Sequence, residues 1–159
     1  MSRVQLALNV SDIDEAVAFY SRLLATEPAK VRPGYANFAV ADPPLKLVLI
    51  EGEGGGTLNH LGVEVETGDE VIATEARLAG EGMATTGVDD TTCCYAAKTE
   101  TWVNDPDGAP WEVYVKTGDA EQMATTALPD GGTASCCTPA AIRASVAAGA
   151  APGSASGCC

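Results

Sequence analysis

Residues 4–20 of this 159-residue chain read VQLALNVSDIDEAVAFY and pass from a strand pattern into a helix pattern. Over residues 4–10, apolar side chains alternate with polar or small ones, which predicts a β-strand. Ser11 stands in N-cap position, with Asp14 three residues later as in a capping box. Apolar residues then recur at helical spacing, which predicts an amphipathic helix from Asp12 to about Leu24.

The same pattern returns 55 residues further along the chain. Residues 60–65 read as a strand and residues 68–82 as a helix, and at this offset Gln5 aligns with His60. Between the two copies, residues 35–40 and 45–50 read as further strands. An internal repeat of this kind indicates two equivalent structural modules.

The last strand of each copy also matches, although at a larger offset. Residues 44–48, PLKLV, resemble residues 110–114, PWEVY, at an offset of 66, so the second copy carries an insertion of about 11 residues. We therefore predict an α+β fold of two βαβββ modules, at about 1–52 and 58–118. They lie in one domain over residues 1–122, with the glycine-rich stretch between them as a flexible linker.

The insertion contains an adjacent cysteine pair, Cys93-Cys94. Neighbouring Cα atoms are only about 3.8 Å apart, which disfavours a disulfide between them. Two adjacent thiolates can instead grip one soft, thiophilic atom. The alternative is a buried cysteine with a bystander, because free cysteine is commonly buried.

Charge and hydropathy exclude several classes of partner. A net charge of −13 disfavours binding to nucleic acid or to an anionic membrane. No apolar run of about 18 residues is present, so we expect no membrane span. The first residues lack a signal-peptide pattern, which favours the cytoplasm, where thiols stay reduced.

The turn Asp105-Pro106-Asp107-Gly108, which precedes Trp111-Glu112, carries a family resemblance together with residues 10–20. Over roughly residues 4–116 the chain resembles the vicinal-oxygen-chelate superfamily of glyoxalases, bleomycin-resistance proteins and extradiol dioxygenases. The resemblance implies a curved mixed sheet around a cleft. It also implies a divalent metal held by the first and last strands of the modules.

Carried over to this sequence, the implied ligand positions are Gln5, His60 and Glu112, whereas Lys46 cannot ligate while protonated. His60 is the only histidine of the chain. Imidazole and carboxylate ligands with open positions favour non-haem Fe(II), although the amide oxygen of Gln5 leaves Mn(II) and Ni(II) as alternatives. A lone histidine that merely forms hydrogen bonds is the structural alternative.

Residues 92–96, TCCYA, followed by Trp102-Val103, resemble the ArsI/CadI branch of that superfamily. This resemblance implies an Fe(II)- and O2-dependent lyase that cleaves the carbon–arsenic bond of trivalent organoarsenicals, methyl or aromatic, and releases arsenite. It assigns arsenic binding to Cys93 and Cys94. Lys98 is the one candidate for a lysine that contacts the substrate.

Two other functions stay open at this point. The chain could be a thiol-based protein that sequesters As(III) or Cd(II), or another enzyme of this fold with an incidental cysteine pair. The three ligand positions favour an enzyme over a sequestering protein. The resemblance is also compatible with a homodimer.

The composition changes after about residue 122. Residues 123–159 are rich in Ala, Gly and Ser, carry the pairs Cys136-Cys137 and Cys158-Cys159, and predict a disordered tail. These thiols either collect arsenicals by raising the local thiol concentration or have no role in the reaction.

Overall fold

The computed structural model describes residues 2–123. They fall into two compact units, Arg3–Gly62 and the chain from Val63 onward. The prediction of an α+β fold with two βαβββ modules is confirmed. The metal cleft and the domain limits at 1–122 stay predictions, and the two cysteine pairs of the predicted tail lie outside the described residues.

The first unit holds five strands and one helix. Its elements are β1 (Arg3–Val10), α1 (Ile13–Leu24), β2 (Lys30–Arg32), β3 (Tyr35–Val40), β4 (Leu45–Glu51) and most of β5 (Thr57–Glu64). The strands lie in the order β2-β3-β4-β1-β5. β1 runs parallel to β4, whereas β3 is antiparallel to β2 and to β4. The sequence did not predict β2, because three residues are too few to show an alternating pattern.

Helix α1 covers one face of this sheet. Ile13 packs in a cluster with buried residues of β3 and β4, and Leu6 and Leu8 of β1 lie against it. The N-cap is Asp12, whose side chain accepts a hydrogen bond from the Glu15 amide, so the prediction of Ser11 was wrong by one residue. Leu6 and Leu8 thus lie on the face of β1 that α1 covers. Because side chains alternate along a strand, the odd-numbered residues of β1 lie on the opposite face.

The glycine-rich stretch between β4 and β5 is tied to the end of β1. The amides of Gly52 and Gly56 donate to the carbonyls of Val10 and Asn9, at 3.0 and 2.9 Å. A Cβ atom on Gly55 would collide with the hydroxyl and the backbone nitrogen of Ser11, so this position requires glycine. The expected flexible linker is therefore a turn held against β1.

The second unit holds α2 (Gly68–Gly80), β6 (Asp89–Cys93), β7 (Ala96–Asn104) and β8 (Pro110–Asp119). The strands lie in the order β8-β7-β6, and each neighbouring pair is antiparallel. Thr67 caps α2 in a capping box with Glu70. The predicted insertion lies in the long β6–β7 hairpin. Within residues 2–123, neither helix is long and apolar enough to cross a membrane.

Candidate active site

Gln5 and His60 lie side by side in the first unit. Both are buried, with 2% and 3% of their surface exposed. Gln5 is on β1 and His60 is on β5, which are neighbouring strands, and the Nε2 atoms of the two side chains are 2.9 Å apart. The two residues that the repeat aligned are thus in direct contact, on the face of β1 that α1 does not cover.

The surroundings of His60 suit a metal ligand. Its Nδ1 atom lies 2.7 Å from Oδ1 of Asn59. An amide oxygen only accepts hydrogen bonds, so Nδ1 carries the proton and Nε2 presents a lone pair. A histidine that binds a metal through one nitrogen usually donates its other N–H to such an oxygen. Gln5 now points its NH2 group at this lone pair, and metal binding would require its amide to turn its oxygen there.

Glu112 occupies a buried polar cluster in the second unit. Its Oε1 atom accepts a hydrogen bond from Nζ of Lys98 at 2.7 Å. The same Nζ lies 3.9 Å from Oε2 of Glu100 and 4.8 Å from the ring centroid of Tyr114. Trp102 donates from its indole N–H to Oε1 of Glu100 at 3.1 Å. One buried lysine is therefore held by two carboxyl groups and an aromatic ring.

The charges of this cluster follow from its burial. Burial alone would lower the pKa of Lys98, but the negative charges of Glu112 and Glu100 outweigh it and hold the pKa well above its ordinary value. Burial, then the negative charge of Glu112, raises the pKa of Glu100 well above its ordinary value. Glu112 and Lys98 thus form an ion pair, and the raised pKa of Glu100 extends the pH range over which this carboxyl group keeps its proton.

The carboxylate of Glu112, which accepts from Lys98, is an oxygen donor, and Gln5 and His60 offer an amide oxygen and an imidazole nitrogen. The donor types of Gln5, His60 and Glu112 therefore fit a divalent metal that accepts nitrogen and oxygen ligands. Among residues 2–123 there is no group of three or more His, Cys, Asp or Glu that could hold a metal ion. The joint set of Gln5, His60 and Glu112 stays a prediction.

Cys93 and Cys94 stand at the tip of the β6–β7 hairpin. Cys93 pairs with Ala96, so Cys94 and Tyr95 form a two-residue turn. Both turn residues have left-handed backbones, with φ of 53° and 59°. This is the pattern of a type I′ turn, for which Asn-Gly is the preferred sequence. Two consecutive non-glycine residues in these conformations are unfavourable unless the surroundings hold them.

The segment after β8 supplies that support. The amides of Cys94 and Tyr95 donate to the carbonyls of Met123 and Gln122 at 2.7 and 2.9 Å, and the amide of Ala120 donates to the carbonyl of Tyr95. The hairpin tip is therefore a tight turn whose backbone is hydrogen-bonded to residues 120–123.

The turn brings both sulfur atoms to one place. The Sγ atoms of Cys93 and Cys94 are 3.2 Å apart and both residues are buried. Two sulfurs that bind one soft atom, each at about 2.3 Å as in zinc thiolates, must lie close together, so this arrangement suits the capture of a single atom. Capture of one soft atom by both sulfurs requires both cysteines as reduced thiols.

Sequence reasoning missed three residues of these sites. Glu100 shares the strand face of Lys98, and alternation along β7 could have placed both beside Glu112. Asn59 lies next to His60 in sequence, but nothing in the pattern indicated contact between their side chains. The left-handed conformation of Tyr95 had no sequence signal at all, because the residue types at that turn disfavour it.

Comparison with known proteins finds one matching family model and several similar proteins. The model of the Glyoxalase/Bleomycin resistance protein/Dioxygenase superfamily matches residues 3–113. A trivalent organoarsenical cleaving enzyme of Thermomonospora curvata is 53% identical over 161 residues, with both chains covered completely. The cadmium-induced protein CadI of Mycobacterium bovis is 54% identical over 142 residues, 86% of this chain and 93% of that protein.

Solved structures show the same fold at low identity. An extradiol ring-cleaving dioxygenase from B. fuscum aligns with a TM-score of 0.57 and 21% identity, over 75% of this chain and 34% of that one. A Mn(II)-bound glyoxalase from Novosphingobium aromaticivorans aligns with a TM-score of 0.54 and 20% identity, over 78% and 44% of the two chains. At such identities the likeness concerns the fold alone.

Proposed function

Because the chain belongs to the Glyoxalase/Bleomycin resistance protein/Dioxygenase superfamily, in its branch of organoarsenical cleaving enzymes and CadI proteins, we propose that it cleaves the carbon–arsenic bond of trivalent organoarsenicals. The substrates are methylarsenite and aromatic arsenicals, and the arsenic product is arsenite. The observation that carries this proposal is the 3.2 Å separation of the Cys93 and Cys94 sulfurs.

The cysteine pair binds the substrate. Trivalent arsenic is soft and has two exchangeable oxygen substituents in methylarsenite, so the two reduced thiols replace both and release two waters. The type I′ turn fixes the backbone at Cys94, and both cysteine side chains are already buried before the substrate arrives. Little side-chain freedom is then lost on binding, which favours affinity.

Gln5, His60 and Glu112 are the residues that would hold Fe(II) in this proposal. When bound, iron supplies the activation of O2 that the oxidation needs. The donor types favour iron, with Mn(II) as the alternative. Lys98 keeps Glu112 ionised, and therefore able to ligate, despite complete burial.

The overall reaction balances without a further reductant. Methylarsenite and O2 give formaldehyde and arsenite. The methyl carbon loses four electrons, O2 accepts them, and arsenic stays trivalent. The carbon–arsenic bond, the O–O bond and one C–H bond of the methyl group break, and a C=O bond, an arsenic–oxygen bond and an O–H bond form.

A second function is favoured by the similarity to CadI, whose name states only that cadmium induces it. In that case the reduced thiols would sequester As(III) or Cd(II) without turnover. The buried pair Gln5–His60 argues against this alternative, because a sequestering protein does not need a histidine held in one tautomer beside a second candidate ligand.

Arsenic speciation tests the proposal. The protein is reduced, freed of reductant, loaded with Fe(II) and incubated with methylarsenite in air. We expect arsenite and formaldehyde in equal amounts, with matching consumption of O2. The double variant Cys93→Ser/Cys94→Ser is the control and should form neither product. Substrate that stays bound and unchanged would refute the lyase and leave the sequestering function.

We propose that the enzyme is a homodimer in the cytoplasm, where thiols stay reduced. The cysteine pairs of the predicted tail would deliver arsenicals to the hairpin. Removal of residues 124–159 should then raise the KM for methylarsenite and leave kcat unchanged.

A further inference from the structure

Five polar side chains and one backbone carbonyl form a continuous line of hydrogen bonds in the first unit. The line runs from the carbonyl of Gly54 through Thr57, Asn9, Asn59 and His60 to Gln5. Its spacings are 2.6, 2.9, 2.8, 2.7 and 2.9 Å in that order. We call these residues the histidine relay.

The direction of the relay is set at its outer end. A carbonyl oxygen can only accept, so the hydroxyl of Thr57 donates its single proton to Gly54. Oγ1 of Thr57 then only accepts, so Asn9 must face it with its NH2 group. This turns the amide oxygen of Asn9 toward Asn59.

The same logic continues to the ring of His60. Asn59 must donate to the oxygen of Asn9, so its own oxygen faces Nδ1 of His60. Nδ1 therefore carries the proton, and a neutral imidazole has only one. Nε2 is left with its lone pair, which accepts from the NH2 group of Gln5.

We propose that Asn59, oriented by Asn9 and Thr57, is a positioning residue that holds His60 in its Nδ1–H tautomer and directs the Nε2 lone pair toward a metal. The metal role of His60 rests on the proposed function, whereas the tautomer does not. Burial strengthens these hydrogen bonds. Asn59 is 4% exposed and His60 is 3% exposed, so water competes little for their polar groups.

The outer end of the relay is equally constrained. Gly54 has a left-handed backbone with φ of 81°, and its carbonyl belongs to the turn that Gly52 and Gly56 tie to β1. The glycine-rich stretch therefore has a role beyond connecting β4 and β5. It supplies the fixed acceptor from which the direction of every later hydrogen bond follows.

The tautomer can be measured without metal or substrate, because His60 is the only histidine. Long-range 1H–15N correlation spectra of the metal-free protein show a single imidazole. We expect one protonated nitrogen at the Nδ1 position and one unprotonated nitrogen at Nε2. A wild-type spectrum with the proton on Nε2 would overturn the proposal before any variant is made.

Two variants of Asn59 separate positioning from packing. Asn59→Leu keeps the size of the side chain but removes the acceptor, so both nitrogens should move toward averaged tautomer signals. Anaerobic titration with Fe(II) should give a 10- to 100-fold weaker affinity, the usual effect of losing such a partner. Asn59→Asp keeps an acceptor oxygen and should retain the Nδ1–H tautomer and most of the affinity.

Two further variants complete the test. Asn9→Ala removes the acceptor that orients Asn59 and should shift the tautomer of His60 partly. This variant keeps the test available if Asn59→Leu fails to fold. Asn37→Leu makes the same exchange at a partly buried asparagine whose NH2 group binds the Tyr35 hydroxyl, and it should change neither readout.

An unchanged tautomer in Asn59→Leu, or a changed tautomer with unchanged Fe(II) affinity, would refute the positioning role. A wild-type chain that shows the Nδ1–H tautomer but binds no Fe(II) would instead refute the proposed function. The tautomer assignment would stand in that case.

Discussion

Nζ of Lys98 lies 2.7 Å from Oε1 of Glu112, and both side chains are almost completely buried. Removal of one partner from a buried ion pair leaves the other charge without compensation. We therefore expect Lys98→Met to lower the free energy of unfolding by about 3–5 kcal/mol. Lys116→Met is the matched control, because its pair with Asp119 is exposed and should contribute less than about 1 kcal/mol. Urea unfolding measures both, and equal losses would contradict the pairing argument.

Glu100 should make stability depend on pH. Because the pKa of Glu100 is raised, the folded chain keeps a proton that the unfolded chain releases. The free energy of unfolding therefore falls as the pH rises from about 4 to the raised pKa. In Glu100→Gln the decrease in the free energy of unfolding between pH 5 and pH 8 should be smaller, by up to about 1.4 kcal/mol per pH unit. Urea unfolding of the metal-free chain at both pH values gives the slope. Glu121→Gln, at an exposed position, controls for the substitution itself, and parallel profiles would refute the prediction.

Tyr95 tests the strained turn. Tyr95→Val and Tyr95→Asn both remove the ring, but a β-branched residue tolerates a positive φ poorly and asparagine tolerates it well. We expect the valine variant to be less stable than the asparagine variant by about 1–2 kcal/mol. It should also bind phenylarsenite more weakly, although both cysteines remain. Thermal unfolding and equilibrium binding provide the comparison, and indistinguishable variants would argue against a backbone role.

Cys93→Ser and Cys94→Ser should each abolish tight binding of methylarsenite, because a single thiol cannot replace both exchangeable oxygens. Fe(II) binding should stay within a factor of about two, since serine leaves the proposed ligands in place. Calorimetric titration of the reduced protein with each ligand separates the two effects. Retained arsenical affinity in both variants would remove the hairpin from the mechanism.

His60→Ala should show the reverse pattern. Loss of the imidazole should remove Fe(II) binding and the production of arsenite, whereas methylarsenite binding to the cysteine pair should persist. The same two titrations and the speciation assay measure this outcome. If the cysteine variants and His60→Ala lost the same activities, the division into a thiol site and a metal site would be wrong.

The repeat in the sequence was enough to predict most of the fold. Strand and helix patterns depend on the order of apolar side chains, and they placed β1, β3, β4, β5 and both helices within a few residues. The same repeat aligned Gln5 with His60, and the structure brings these residues into contact because β1 and β5 are neighbours. The adjacent cysteines needed no structure to be singled out, since their proximity is covalent.

The surroundings of these residues depend on contacts between segments that are distant in the chain. The left-handed turn at Cys94-Tyr95 opposes local preference and depends on hydrogen bonds from residues 120–123, so no local pattern could predict it. The pairing of Lys98 with Glu112 depends on the register of β7 against β8, and the tautomer of His60 depends on a carbonyl six residues away at Gly54. Hydrogen-bond direction and burial belong to the folded arrangement, whereas the chain order of apolar residues and thiols belongs to the sequence itself.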